Sequence, residues 1–313
     1  MPSFWEIVQE ALIAYWSSPL SLAVLVASGS AIATLGYVFL ANARNAKLRV
    51  SLLTAMYALS IFFWAFIAIS LVLCISQSRM VAYSRQGVPI AVGGALLGGL
   101  GASFVLSVAI WRYGNRAVLR RFAPRPTREG EHWIQEYVTL LSEFEGTNGT
   151  RIGVVDDAGA LAMAVGGKPP YVLVSRGLLD LLEKDEMETV LAHEVMHLKH
   201  HDAQFKVFSR IFSRILFFDP FSKFFDPAVH REREYLADEM GARSTRRPAS
   251  LASALLKIAN TGMPTKPAWG LSILGPSRGV FSRYPPLKER VRRLVVLSEL
   301  LRPPDNPDAH GPG

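Results

Sequence analysis

The chain has 313 residues, of which 50% are hydrophobic and only 19% are charged, so it is too apolar for an ordinary soluble protein. The formal net charge of +8 suits either nucleic acid or an anionic membrane surface, and the positions of the charges must decide between them. Cys74 is the only cysteine, which excludes an intrachain disulfide and a metal site built from cysteines. The N-terminus carries Glu6 and Glu10 but no basic segment, a pattern that predicts no cleavable signal peptide.

Three charge-free windows follow, at 11–43, 50–78 and 86–111, and they predict membrane-spanning helices. Each window can hold the ~20 apolar residues that cross the hydrocarbon core of a bilayer, so we expect spans near 20–40, 52–73 and 90–110. Buried helices of a globular core are the alternative, which windows of this length disfavour. In the third window Gly94 and Gly98 form a small-xxx-small pair that lets two helices approach closely in lipid.

The basic residues flank these windows unevenly, and this predicts how the chain is oriented. Arg79 and Arg85 lie between the second and third windows, on one side of the membrane. The other side carries nine basic residues: Arg44, Lys47, Arg49, Arg112, Arg116, Arg120, Arg121, Arg125 and Arg128. Because basic loops stay in the cytoplasm, we expect a multi-pass protein of the cell membrane with its N-terminus outside and everything after Trp111 in the cytoplasm. The bilayer then accounts for the positive charge, and no nucleic-acid partner is predicted.

From about residue 131 the composition becomes globular, and the periodicities predict a mainly helical domain with a small β-sheet. Strands fit 151–155 and 171–174, with a turn and a further strand between 159 and 167, and helices fit 133–144, 186–202, 230–242, 251–259 and 286–301. Lys206, Arg210 and Arg214 form a basic stripe, so 205–218 is either a helix on the membrane surface or one inside the globular domain. The predicted division is a membrane domain at 1–111, a basic juxtamembrane linker at 112–130, a globular domain at 131–302 and a disordered tail at 303–313.

The strongest chemical signal is the motif His193-Glu194-Val195-Met196-His197. Residues four apart lie on one face of a helix, so both imidazoles can bind the same zinc ion. Glu194 then lies beside the metal without binding it, in the position of a general base. A polar helix face without function is the alternative, and the apolar residues around the motif disfavour it. The motif predicts one zinc ion per chain and hydrolysis of peptide bonds.

A catalytic zinc site needs a third protein ligand and an open position. Glu234 and Asp238 are four residues apart on a predicted helix, so one can bind zinc while the other orients a ligand imidazole. Spacing alone leaves Glu232 and Glu239 as competitors for the third ligand. His200 and His201 are candidates for a second metal site, but cationic histidines also suit the negative end of a helix, which is the interpretation we prefer.

The order of these motifs resembles that of the HtpX-type membrane zinc peptidases and the related CAAX prenyl endopeptidases. The resemblance covers about residues 151–294 and is carried by four stretches, which read YVLVSRGLLDLL at 171–182, EMETVLAHEVMH at 186–197, EYLAD at 234–238 and YPPLKER at 284–290. It implies that Glu234 is the third zinc ligand and that the site faces the cytoplasm. Together with the three spans expected from the charge-free windows, it predicts an α+β fold class, with three N-terminal transmembrane helices followed by a mainly helical zincin-type metallopeptidase domain with a small sheet.

The chain also departs from the family pattern. The strand that lines the substrate groove often has Asn-Ala-Phe, and here the matching residues are Leu161, Ala162 and Met163. A histidine usually precedes the Pro-Pro pair, and here it is Tyr284, whose hydroxyl can also donate to an oxyanion. Arg290 can pair with Asp238 behind the zinc ligands, or it can be an ordinary surface residue of its helix. No span falls clearly inside the catalytic region, which also differs from the usual HtpX layout.

The expected function is a membrane zinc metalloendopeptidase that cuts membrane or cytoplasmic proteins. The HtpX resemblance implies membrane-protein quality control, with protein or peptide substrates and the lipid bilayer as partners. Three alternatives remain: a CAAX-type processing peptidase, a sensor-transducer protease that cleaves a repressor, and a non-catalytic zinc-binding scaffold. The sensor-transducer normally has a large extracellular domain, which this chain lacks, and a scaffold would not need the base Glu194.

Overall fold

The computed structural model describes residues 3–41, 46–77, 87–215, 217, 219–261, 272–274 and 282–301. The chain forms two compact units, described separately below. The first unit comprises Met1–Gly114 and Phe208–Val229, and the second comprises Asn115–Val207 and His230–Gly313. The tail predicted at 303–313 lies outside the described residues.

The first unit is built from long apolar helices, α1 (Phe4–Trp16), α2 (Pro19–Ala41), α3 (Ala46–Gln77) and the N-terminal part of α4 (Gly87–Phe122). A capping box starts α1, because Ser3 Oγ accepts from the Glu6 amide while Glu6 accepts from the Ser3 amide. Three of these helices are long and apolar enough to cross a membrane, over Pro19–Phe39, Ser51–Leu73 and Pro89–Phe122. The prediction of three N-terminal transmembrane helices is therefore confirmed.

Glycines bring α3 and α4 together. A Cβ added at Gly98 would lie 2.9 Å from Ile69 Cδ1, and one added at Gly94 would lie 3.6 Å from Leu73 Cδ1. Both members of the small-xxx-small pair therefore face α3, as helices in lipid use such pairs. The helix α4 also continues to Phe122, so the first part of the predicted linker at 112–130 is helical.

Two more helices, α8 (Asp202–Ile215) and α9 (Pro220–Thr245), begin and end in different units. Their stretch from Phe208 to Val229 belongs to the first unit, where Phe212 packs against Tyr57 with ring centroids 5.3 Å apart. The Tyr57 hydroxyl donates to Asp226 Oδ1 over 2.7 Å. The two compact units therefore do not coincide with the predicted globular domain at 131–302. The predicted domain boundaries stay a prediction.

The second unit contains a three-stranded sheet of β1 (Arg151–Val155), β2 (Ala162–Val165) and β3 (Tyr171–Ser175) in the order β1-β3-β2. The central strand β3 runs parallel to β1 and antiparallel to β2. The helices of this unit are α5 (His132–Glu145), α6 (Arg176–Leu181), α7 (Lys184–Lys199), α10 (Pro248–Asn260) and α11 (Leu287–Leu300), with a short 3-10 helix at Glu129–Glu131. This small sheet in a mainly helical unit confirms the predicted α+β class.

The core of the second unit encloses α7. Val174 of β3, Val190 and Leu191 of α7, and Leu251 and Leu255 of α10 are all fully buried in one apolar cluster. The predicted continuous helix over 186–202 is wrong at its end, because α7 stops at Lys199 and α8 starts at Asp202. His201 between them has a φ of 58°, a left-handed conformation that ends helices.

Candidate metal centre

The helix α7 supplies two buried imidazoles on one face. Its N-terminus is fixed by a capping box, in which the Glu183 amide donates to Glu186 Oε2 over 3.0 Å. His193 and His197 are both fully buried and lie one turn apart. Their Nε2 atoms are 3.2 Å apart, so both nitrogens point to the same place.

The helix α9 brings a carboxylate to the same place. Glu234 is buried, and its Oε2 lies 3.5 Å from His193 Nε2 while its Oε1 lies 3.4 Å from His197 Nε2. Gly241 allows α9 to lie this close to α7, because a Cβ there would be 3.0 Å from the His193 backbone nitrogen and 3.1 Å from its Cα. Any side chain at residue 241 would press on the backbone that carries the first histidine.

The three side chains fit a zinc ion. Ligand atoms bound at ~2.0–2.1 Å in tetrahedral geometry lie roughly 3.3–3.4 Å from one another. Here the two Nε2 atoms are 3.2 Å apart, and each has one oxygen of the Glu234 carboxylate near this distance, Oε1 at 3.4 Å from His197 and Oε2 at 3.5 Å from His193. Within the described residues, these side chains form the only group of His, Cys, Asp and Glu that can hold a metal ion. The predicted zinc cofactor therefore has a buried donor set of suitable type and spacing.

Behind His193 lies a fully buried ion pair. Asp238 Oδ1 is 3.0 Å from His193 Nδ1, which directs the other ring nitrogen toward Glu234. Arg290 donates to both oxygens of Asp238 over 2.6 Å and to the Ile273 carbonyl over 2.7 Å. Burial alone would raise the pKa of Asp238, but Arg290 outweighs it and holds that pKa below its usual value. Burial likewise opposes the charge on His193, but Asp238 and Glu234 raise its pKa to about 9.

Asp202 lies behind His197, and the sequence did not predict this contact. Asp202 Oδ2 is 3.3 Å from His197 Nδ1, and Arg233 forms an ion pair with the same carboxylate. Arg233 also donates to the His200 carbonyl over 3.0 Å, at the end of α7. Each ligand imidazole therefore has its own aspartate, and each aspartate has its own arginine.

Glu194 is the buried carboxylate without a partner at this centre. It is 1% exposed, and neither of its oxygens has a hydrogen-bond partner in the described part of the chain. Burial raises its pKa above the ordinary value. A buried acid next to a metal ligand, with both oxygens available and a raised pKa, has the properties of a general base.

Lys206 is a second residue that the sequence did not place here. Its spacing predicts a basic stripe with Arg210 and Arg214, but its side chain is 5% exposed and points into the centre. Its Nζ donates to Glu234 Oε1 over 2.5 Å and lies 3.0 Å from His197 Nε2. Burial and this cation together hold the pKa of His197 well below its usual value.

The structure also shows the surroundings of the other predicted residues. Glu239 is exposed and pairs with Arg243, whereas Glu234 is the carboxylate beside the histidines. His200 is the C-cap of α7, as expected for a helix-end histidine. Tyr284 is buried, and its amide and carbonyl both contact Ser282 Oγ. Leu161 is buried just before β2, and Ala162 and Met163 are buried on β2, where the Ala162 carbonyl accepts a hydrogen bond from the Ile273 amide. The catalytic roles of Glu194 and Tyr284 stay predictions.

Comparison with known proteins identifies the family of this chain. The sequence model of the family described as Peptidase family M48 matches residues 129–297. The chain is 30% identical over 241 residues to a protease HtpX homolog of Dictyoglomus thermophilum, covering 63% of this chain and 80% of that protein. It is 33% identical over 226 residues to a protease HtpX homolog of Tropheryma whipplei, covering 58% of this chain and 78% of that protein. It is 30% identical over 261 residues to a protease HtpX homolog of Pyrococcus abyssi, covering 64% of this chain and 88% of that protein. The predicted resemblance and enzyme class are confirmed, and the chain belongs to peptidase family M48, a family of zinc metallopeptidases.

Proposed function

We propose that this protein cuts membrane proteins at their cytoplasmic parts, with zinc bound by His193, His197 and Glu234. The convergence of the two Nε2 atoms, 3.2 Å apart, with the Glu234 carboxylate, whose oxygens each lie 3.4–3.5 Å from one of them, carries the proposal. The M48 match and the three candidate spans support it as well. Bound zinc supplies a Lewis acid that polarises the scissile carbonyl and makes water more acidic.

The protein side chains perform the proton transfers in this proposal. Glu194 accepts a proton from the attacking water and returns it to the leaving amine as the peptide C–N bond breaks. Its raised pKa supports this role, since a base of that kind can hold the proton between the two steps. Tyr284 is proposed as the donor to the carbonyl oxygen, on which negative charge develops. Asp202 contacts His197 Nδ1 and Asp238 lies 3.0 Å from His193 Nδ1, so each aspartate supports an orientation in which the Nε2 of its imidazole faces the metal position.

The membrane helices support a membrane-bound substrate and a quality-control role. An enzyme held by three spans meets chiefly substrates that are themselves at the membrane. The excess of basic residues after the first and third spans supports a cytoplasmic location for the catalytic residues. The substrates are then misassembled membrane proteins with unfolded cytoplasmic segments, as the HtpX resemblance implies.

A reporter experiment tests both parts of the proposal. The same unfolded segment is inserted into either a cytoplasmic or an external loop of one multi-pass membrane protein. Each reporter is co-expressed with the full-length chain, and fragments are followed by immunoblotting. We expect cleavage of the reporter with the cytoplasmic segment and none of the other.

The Glu194→Gln variant serves as the matched inactive control in the same cells. Cleavage only in the external loop would reverse the proposed orientation. If neither reporter is cleaved although the purified protein digests soluble casein, membrane proteins are not its substrates. Equal cleavage in cells with the Glu194→Gln variant would assign the activity to another protease.

A further inference from the structure

Lys206 contacts two of the three candidate zinc ligands, His197 and Glu234. Its Nζ donates to Glu234 Oε1 over 2.5 Å and lies 3.0 Å from His197 Nε2. Both atoms belong to the only potential metal-binding group in the described part of the chain. We propose that Lys206 is an internal cation that competes with zinc for His197 and Glu234, and thereby sets the zinc affinity of the site. This inference rests on the ligand assignment of the proposed function.

The tautomer of His197 makes the competition direct. Asp202 Oδ2 lies 3.3 Å from His197 Nδ1, so that nitrogen carries the proton and Nε2 carries the lone pair. A neutral imidazole offers one such lone pair. The Lys206 amine and zinc cannot both use it, so zinc binding requires the amine to leave His197.

The helix α8 holds the lysine in this position. Asp202 and Lys206 are four residues apart on one face of α8, and they contact opposite nitrogens of His197. Arg233 fixes Asp202 through an ion pair, and Phe205 stacks on His230 at 5.6 Å. The Lys206 side chain is 5% exposed, so its charge is stabilised here by the Glu234 carboxylate rather than by water. Displacing it therefore has a cost that zinc binding must offset.

The test compares zinc affinities in the full-length protein in detergent micelles. Protein stripped with a chelator is titrated with zinc in competition with a chromophoric indicator. We expect Lys206→Met to bind zinc roughly 10–100-fold more tightly than the wild type, because a charge-assisted hydrogen bond no longer has to be broken. Lys257→Met is the matched control, since Lys257 is also ion-paired, with Glu186 over 2.8 Å, but contacts no zinc ligand. It should bind zinc like the wild type.

The outcomes separate this inference from the proposed function. Zinc binding of equal or lower affinity in Lys206→Met than in the wild type overturns the competition alone. Absence of stoichiometric zinc from both proteins overturns the competition and the ligand assignment together. A crystal structure of the zinc-loaded wild type gives a second measurement, which does not depend on a variant folding. There we expect Lys206 Nζ to have left hydrogen-bonding distance of His197 Nε2, and an unchanged 3.0 Å separation would contradict the inference.

Discussion

Replacing Glu194 with glutamine should abolish peptide hydrolysis by the purified protein and leave its zinc content at one ion per chain. The change keeps the size of the side chain but removes its ability to accept a proton. General-base catalysis contributes roughly 10²–10⁴-fold in rate, so we expect a loss of that order. Casein cleavage and metal content are measured on the same preparation.

Glu188→Gln is the matched control for this experiment. It makes the same chemical change on the same helix, where Glu188 pairs with Arg247 over 2.8 Å, and it should retain wild-type activity. Wild-type cleavage by Glu194→Gln would remove Glu194 from the mechanism. Loss of zinc from Glu194→Gln would instead assign it to the metal ligands.

Replacing Arg290 with methionine should destabilise the protein by about 3–5 kcal/mol, the usual effect of removing one partner of a buried ion pair. Arg290 is fully buried, donates to both oxygens of Asp238 and lies 3.5 Å from Glu234 Oε2. Its removal leaves two buried carboxylates without this counter-ion. Thermal melting of the detergent-solubilised protein measures the effect.

Arg292→Met is the control on the same helix, because Arg292 is 71% exposed and pairs only at the surface with Glu289. Its melting temperature should equal that of the wild type. Adding Asp238→Asn to Arg290→Met should restore part of the lost stability, since it removes one of the unpaired charges. A melting temperature of Arg290→Met equal to that of Arg292→Met would show that the buried pair does not hold the centre together.

The sequence predicted the parts of this protein that depend on local spacing. His193 and His197 are one helical turn apart, and so are Glu234 and Asp238, so each pair could be assigned to one helix face. The three spans could be predicted because length and lack of charge suffice for them. The choice of Glu234 over Glu239 needed the family resemblance, since only the folded chain brings α9 against α7.

The sequence did not predict the surroundings of His197, because they depend on a break between two helices. If α7 continued without interruption, Lys206 would lie roughly 13 Å further along the axis than His197. The left-handed His201 ends α7, so Asp202 and Lys206 reach the same imidazole from α8. The left-handed conformation at the end of a helix is usually adopted by glycine or asparagine, so a histidine at residue 201 did not indicate it.

X-ray absorption at the zinc edge identifies the atoms that bind the metal in protein loaded with one equivalent of zinc. We expect two imidazole nitrogens at ~2.0–2.1 Å, carboxylate oxygen at ~2.0–2.2 Å and no sulfur ligand. The Glu234→Gln variant should keep the imidazole signal and bind zinc more weakly. A spectrum without two imidazoles, or with a sulfur ligand at ~2.3 Å, would contradict a zinc site built from His193, His197 and Glu234.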